Sequence, residues 1–269
     1  MTGLSPATAP EPLKTFLSEL RDDILSSFPE TIAIIVHGSL GMGSFYPPKS
    51  DIDVLIVTED LDQHQRQDFF ELLRRHHLKR PYMGGLEASV IRTRDAADPR
   101  HPMPYLVQFN ETSDAPAPQV NDELPTDEDL IAHLTVARER GISVHGPESQ
   151  AVIGKSDWNI YLASVRADID WILADENILS TPFYGVLNLC RSAMLKASDK
   201  RLVVSKEEGA LWGLSHLPDS VRPIVQEALD AYRSEETVKS AEERRVAARA
   251  WDREALLGFR DTMQNILQS

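Results

Sequence analysis

Three acidic residues and one small-residue bend carry most of the chemistry this sequence offers. His37–Gly38–Ser39 closes the apolar run TIAIIV, ten residues intervene, and Ser50–Asp51–Ile52–Asp53 opens a second apolar run, DVLIV. Residues two apart on a strand project from the same face, about 7 Å apart along the chain, so Asp51 and Asp53 form a carboxylate pair. Such a pair suits Mg²⁺, which takes one or two carboxylates and completes its shell with water and phosphate oxygens. Gly38 lets backbone approach a phosphate closely, and the Ser39 hydroxyl and amide can donate to it. Glu87 lies inside GGLEASVIR, a stretch otherwise apolar enough for a core strand. A carboxylate there is costly unless it is paired or holds a cation. On a strand beside 51–57 it would reach the same site, to bind the metal or to take a proton from an attacking hydroxyl. DxD alone occurs on many surface loops. The whole constellation of strand, Gly–Ser bend, DxD strand and strand-borne glutamate is far more specific.

These groups need elements to hold them. Residues 1–10 are Pro/Ala/Thr-rich and read as loose. Residues 11–28 space Leu13, Phe16, Leu17, Leu20 and Ile24 as on a helix. The runs 31–39, 51–60 and 84–92 read as buried strands, and residues 62–78 as a helix with Phe69, Phe70, Leu72 and Leu73 inward. PYLVQF at 104–109 reads as an edge strand within a Pro/Asp/Asn-rich connection from 94 to 126. Residues 127–141 form a helix with an acidic start and Gly141 as its stop. Beyond 156 every periodic segment is helical: 157–174, 183–198, 205–216, 219–233 and 236–266. The fold class is therefore α+β, a mixed-sheet domain over 1–150 followed by an all-helical domain over 151–269.

The chain of 269 residues has 42% hydrophobic residues, enough to bury a core in two domains. Its single cysteine, Cys190, excludes a disulfide framework and a cysteine metal cage. The net charge of −14 disfavours a polyanionic partner, so no nucleic acid is expected. With no apolar run of about 18 residues and no basic start before an apolar stretch, no membrane span or signal peptide is expected, and the cytoplasm is the default location. The paired His76–His77 at a helix end read as surface residues.

HGS-x10-SDIDVLIV resembles the signature of the nucleotidyltransferase superfamily, whose catalytic domain has the polymerase-β-like fold. LEASVI with Glu87, DEDLIAHLTVARERGISVHG, NLCRSAMLKASDKRLVVSKEEGALWGLSHLP and EALDAY are similar to one branch, the streptomycin/spectinomycin adenylyltransferases, over nearly the whole chain. That resemblance implies a C-terminal helical bundle, with ATP and drug bound between the two domains. It implies two Mg²⁺ ions on Asp51, Asp53 and Glu87, with Glu87 also the general base. Ser39, Ser50, Asp129, Arg191, Lys206 and Tyr232 would surround ATP. Arg191 and Lys206 supply cations able to clamp a triphosphate.

The implied reaction moves AMP from ATP to a hydroxyl of a cationic aminocyclitol, with loss of pyrophosphate, in a monomeric enzyme. Family members that accept streptomycin carry a tryptophan and an aspartate where this chain has Thr112 and Asn177, although Trp171, Asp175 and Glu176 lie close to the latter. Those two departures favour spectinomycin, modified at its 9-hydroxyl, and place Thr112 and Asn177 with Glu87 as substrate contacts. Three alternatives keep the fold. The enzyme would act on both the streptomycin 3'' and the spectinomycin 9 hydroxyl, or on a protein or tRNA, or would be a sensor that has lost catalysis. The three retained carboxylates argue against the last.

Overall fold

A computed structural model describes residues 3, 5–47, 49–117, 123–235 and 238–268. The elements are α1 (Glu11–Ser27), β1 (Thr31–Val36), α2 (Gly38–Gly41), β2 (Ile52–Thr58), α3 (Gln63–Lys79), β3 (Leu86–Arg92) and α4 (Thr93–Ala97). They continue with β4 (Met103–Pro104), β5 (Val107–Phe109), β6 (Thr126–Asp127), α5 (Leu130–Arg140), β7 (Ile142–His145) and α6 (Ser149–Val152). The remaining helices are α7 (Trp158–Leu173), α8 (Pro182–Ala197), α9 (Lys206–His216), α10 (Arg222–Arg233), α11 (Ala241–Arg245) and α12 (Arg253–Gln268), with one 3-10 turn at Asn177–Leu179.

Contacts divide the chain into two units. The α/β unit comprises Leu4–Phe45 and Ser50–Ser164; the helical unit comprises Met1–Gly3, Tyr46–Lys49 and Val165–Ser269. The boundary therefore falls inside α7, and four residues of the connection between His37 and Asp51 belong with the helices. Residues 151–164 stay with the α/β unit, where Ile153 joins the core.

The α/β unit is built on a mixed five-stranded sheet in the order β5-β3-β2-β1-β7. Strands β2 and β3 are parallel, and the other three pairings are antiparallel. Alternation along the strands sends Ile34, Val54, Ile56, Ala88 and Val90 to a core shared with α1 and α3. Ile35, Leu55, Val57 and Ile91 go to the opposite core, shared with α5. Because both faces are covered, the central strands are apolar runs rather than alternating ones.

Several boundaries depart from the sequence reading. Strand β7, over ISVH, was not expected; it pairs with β1 through Val36–Ile142 and Ile35–Ser143. The edge strand read over 104–109 shrinks to β5, and β4 and β6 form a separate two-stranded ribbon. Residues 118–122 of the long connection lie outside the described residues. Ser5–Thr8 form a turn and Ala9 is buried, so the described part of the N-terminal segment is more ordered than its composition suggests.

The single helix expected over 236–266, whose first two residues also lie outside the described ones, is two helices. Ser240 caps α11 through the Glu243 amide. Ala247 and Ala248 then take left-handed backbone angles, φ +53 for each. Asp252 starts α12, its Oδ1 accepting the Glu254 amide at 2.9 Å and the Ala255 amide at 3.1 Å.

The helical unit packs α8 against α9, α10 and α12. Its core contains Ile172, Phe183, Leu189, Val225, Leu229 and Phe259. Ser205 and Glu208 form a reciprocal capping box that starts α9 immediately before Lys206. No helix of the described residues is long and apolar enough to cross a membrane.

Candidate active site

Sheet register determines where the acidic residues stand. Asp53 on β2 is the direct partner of Glu87 on β3. Both share the face of Leu55, Val57 and Ile91, at the end of the sheet where β2 and β3 begin. Neighbouring strands lie about 4.8 Å apart, so register makes these two carboxylates adjacent. Asp51 precedes β2 by one residue, and its Oδ1 accepts the Gly85 amide at 2.6 Å. Both Asp53 and Glu87 are partly exposed, as expected for carboxylates at a strand end.

The bend after β1 sits against Asp53. The His37 amide donates to the Asp53 carbonyl at 3.0 Å. Gly38 has φ +56, and a Cβ on it would lie 1.8 Å from Asp53 Oδ2. Only glycine lets this backbone lie against that carboxylate. Gly84 does the same on the other side: its Cβ would meet the Ser50 carbonyl oxygen at 1.8 Å. Ser39 follows in α2, its carbonyl accepting the Ser44 amide at 2.8 Å, and Ser50 is buried beside Asp51.

Among the described residues no group of three or more His, Cys, Asp or Glu side chains is arranged to hold a metal ion. The donor set still fits magnesium, because that ion commonly takes only one or two carboxylates and draws its other oxygens from water and substrate phosphates.

Asp129 is the residue before α5; it is exposed and its Oδ1 accepts the Ser164 hydroxyl at 3.2 Å. Thr112 lies in an exposed turn, where its amide and hydroxyl both donate to Asn110 Oδ1 at 2.9 and 2.8 Å. Asn177 belongs to the helical unit, and its Nδ2 donates to the Trp171 carbonyl at 2.8 Å. Glu176 beside it is ion-paired with Arg253, and this pairing holds its carboxyl below the usual range.

In the helical unit, Arg191 and Lys206 come together. Gly209, one turn after Lys206, lies so close that its Cβ would stand 2.6 Å from Arg191 Cα. Lys206 Nζ sits 4.6 Å from the centre of the Tyr184 ring, and the Tyr184 hydroxyl donates to Asp168 at 3.0 Å. Tyr184 lies two turns before Arg191 on α8, so Tyr184, Asn188 and Arg191 share one helix face. Asn188 is 0% exposed, and its Nδ2 and Oδ1, like Arg191 Nε, have no hydrogen-bond partner among the described residues. Unpaired buried polar atoms on one face are costly, and a polar ligand or water would relieve them.

Tyr232, expected beside ATP, belongs to the helical unit. It is 2% exposed, with its ring packed edge-on to Tyr46 at 4.9 Å and near Phe183, so it contributes to the core of the helices. The surface reading of the histidine pair fails. His76 is 2% exposed, with Nε2 at 2.9 Å from Asp23 Oδ2 and its ring edge against Phe16. His77 is partly buried, accepts the Leu86 amide at Nδ1, and has its pKa lowered by burial and then by Arg80. Helix α3 packs on α1 through His76 and on the sheet through His77, which brings both rings inward.

His37, passed over in the sequence except as part of the bend, is 4% exposed and contacts the His133 ring at 5.6 Å. Burial first, and His133 second, lower its pKa to about 3. Between pH 6.5 and about 3 the unfolded chain therefore binds a proton that the folded chain refuses. Stability is complete above 6.5 and is lost as pH falls. Lowering the pH from about 7.5 to about 5 should cost roughly 2 kcal/mol through His37 alone. Urea unfolding at the two pH values should show this loss in the parent and a smaller one in His37→Gln.

Comparison with known proteins agrees with this layout. Residues 17–98 match the family described as Nucleotidyltransferase domain, and residues 151–254 match Aminoglycoside adenylyltransferase, C-terminal domain. The chain is 27% identical over 240 residues to an aminoglycoside (3'') (9) adenylyltransferase from Escherichia coli, covering 82% of this chain and 83% of that protein. It is 26% identical to a protein of the same name from Klebsiella pneumoniae, covering 77% and 80%. In fold it is similar to a spectinomycin adenyltransferase from Enterococcus faecialis solved with ATP and spectinomycin, with TM-score 0.69, 14% identity, and 93% and 99% of the two chains covered. With a nucleotidyltransferase domain followed by this particular helical domain, the chain belongs to the aminoglycoside adenylyltransferase family of nucleotidyltransferases.

Proposed function

We propose that this enzyme transfers AMP from ATP to a hydroxyl of an aminocyclitol antibiotic, with spectinomycin and its 9-hydroxyl as the preferred acceptor. The observation that carries the reading is the Asp53–Glu87 register pair beside the left-handed Gly38, in a chain that spans some four fifths of relatives named for that activity. Asp53, Glu87 and Asp51 would hold magnesium, which when bound neutralises phosphate charge. Glu87 takes the proton of the acceptor hydroxyl, the freed oxygen bonds to the α-phosphorus, and the bond to pyrophosphate breaks. Arg191 and Lys206 offset charge on the triphosphate. The net charge of −14 supports a cationic acceptor over tRNA.

Pyrophosphate release from ATP, measured with spectinomycin and with streptomycin, tests the acceptor. Release with spectinomycin alone is expected, consistent with Thr112 and Asn177. Release with both drugs would establish the dual activity, and release with neither would overturn the proposal. Asp51→Asn and Asp53→Asn should each weaken magnesium-dependent ATP binding about tenfold, the scale of losing one charge-assisted ligand. Calorimetry with and without magnesium checks this; equal binding in the variants removes these residues from the metal site.

A further inference from the structure

The connection between the Gly38–Ser39 bend and the Asp51–Asp53 pair is held at its middle by a partly buried polar network that the proposed mechanism does not use. Phe45 ends the part of the connection that belongs to the α/β unit, and its side chain is fully buried in that core. The next four residues, Tyr46–Lys49, belong to the helical unit. The Tyr46 hydroxyl donates to Glu207 Oε1 at 2.7 Å, and the same oxygen accepts Arg233 Nε at 2.7 Å and Arg233 Nη2. Lys49, 5% exposed, donates from Nζ to the Ser234 carbonyl at 2.8 Å and to the Ser234 hydroxyl at 2.7 Å. Helix α9 therefore attaches the start of this segment, and the end of α10 attaches its last residue, next to Ser50.

We infer that Tyr46, Glu207 and Arg233 are positioning residues for the nucleotide site, fixing the path of the chain between Ser39 and Asp51. This rests on the proposed adenylyl transfer, which gives that path its importance. An apolar contact at 46 would bury the ring equally well, but it would not set the direction of the chain. A hydrogen bond to a carboxylate held by a guanidinium does, because its geometry is narrow and its strength is charge-assisted. The hydroxyl stays protonated as a donor across the neutral range, its pKa being raised to about 12 by burial and then by Glu207. Glu207 in turn lies in the first turn of α9, where the helix dipole favours a carboxylate.

Tyr46→Phe keeps the ring in the core and deletes only the hydroxyl; Glu207→Gln removes the charge. Amide hydrogen exchange of the full-length chain reads the path directly. In both variants exchange over residues 39–50 should quicken at least about tenfold, as expected for a lost charge-assisted hydrogen bond, with α8 unchanged. The KM for ATP should rise about tenfold while that for spectinomycin stays within about twofold. Unchanged exchange over 39–50, or faster exchange spread equally through α8, α9 and α10, overturns the inference. Exchange needs no turnover, so a parent enzyme inactive on spectinomycin would refute the proposed function and still leave this inference to be judged.

Discussion

Glu87→Gln is expected to lower turnover by about three orders of magnitude while magnesium-ATP still binds measurably. General-base catalysis contributes about 10²–10⁴, and glutamine keeps the shape of the side chain but cannot accept the proton. The residue next to it in register, Asp53, would remain to hold the proposed cation, so nucleotide affinity should fall far less than kcat. Comparing kcat from pyrophosphate release with the Kd for ATP from calorimetry separates the two roles. A variant with near-parental kcat would show that Glu87 is not the base. Equal losses in kcat and ATP affinity would place it chiefly in the metal site.

The residues on which that experiment depends were legible in the sequence because β-strand alternation leaves little choice. DIDVLIV and LEASVI are apolar on both faces, so each acid had to stand at a strand end or pair with another group, and strand ends are where Asp53 and Glu87 lie. What sequence could not provide was the partner of each side chain. Asp51 bonding Gly85 depends on β3 running parallel to β2, a relation that spacing along one chain does not reveal.

Tyr232 was expected beside ATP through the family resemblance alone, and its packing against Tyr46, from 186 residues away, is a contact that the sequence does not reveal. Strand β7 escaped notice because ISVH mixes polar and apolar residues and sits at a sheet edge, where pattern is weakest. The break between α11 and α12 was signalled by Asp252 before Arg253–Glu254, but strong helix formers on both sides masked it.

Gly38→Ala should disable the enzyme without touching any charged group. Its backbone, at φ +56, is a conformation that costs an alanine about 1–2 kcal/mol. The larger effect is steric. A Cβ placed 1.8 Å from Asp53 Oδ2 and 2.7 Å from Asp53 Cγ cannot coexist with that carboxylate. Either the bend retreats, carrying Ser39 with it, or Asp53 turns away from Glu87. A misplacement of about 1 Å costs a positioned reaction about a hundredfold, so kcat should fall at least that far. The melting temperature should drop by only a few degrees, because the strain is local and α2 is short. Activity and thermal unfolding measured together distinguish this from general loss of fold. A Gly38→Ala protein that keeps parental turnover would mean that the bend and Asp53 need not stay in contact for catalysis, and the geometry assigned to the metal site would have to be abandoned.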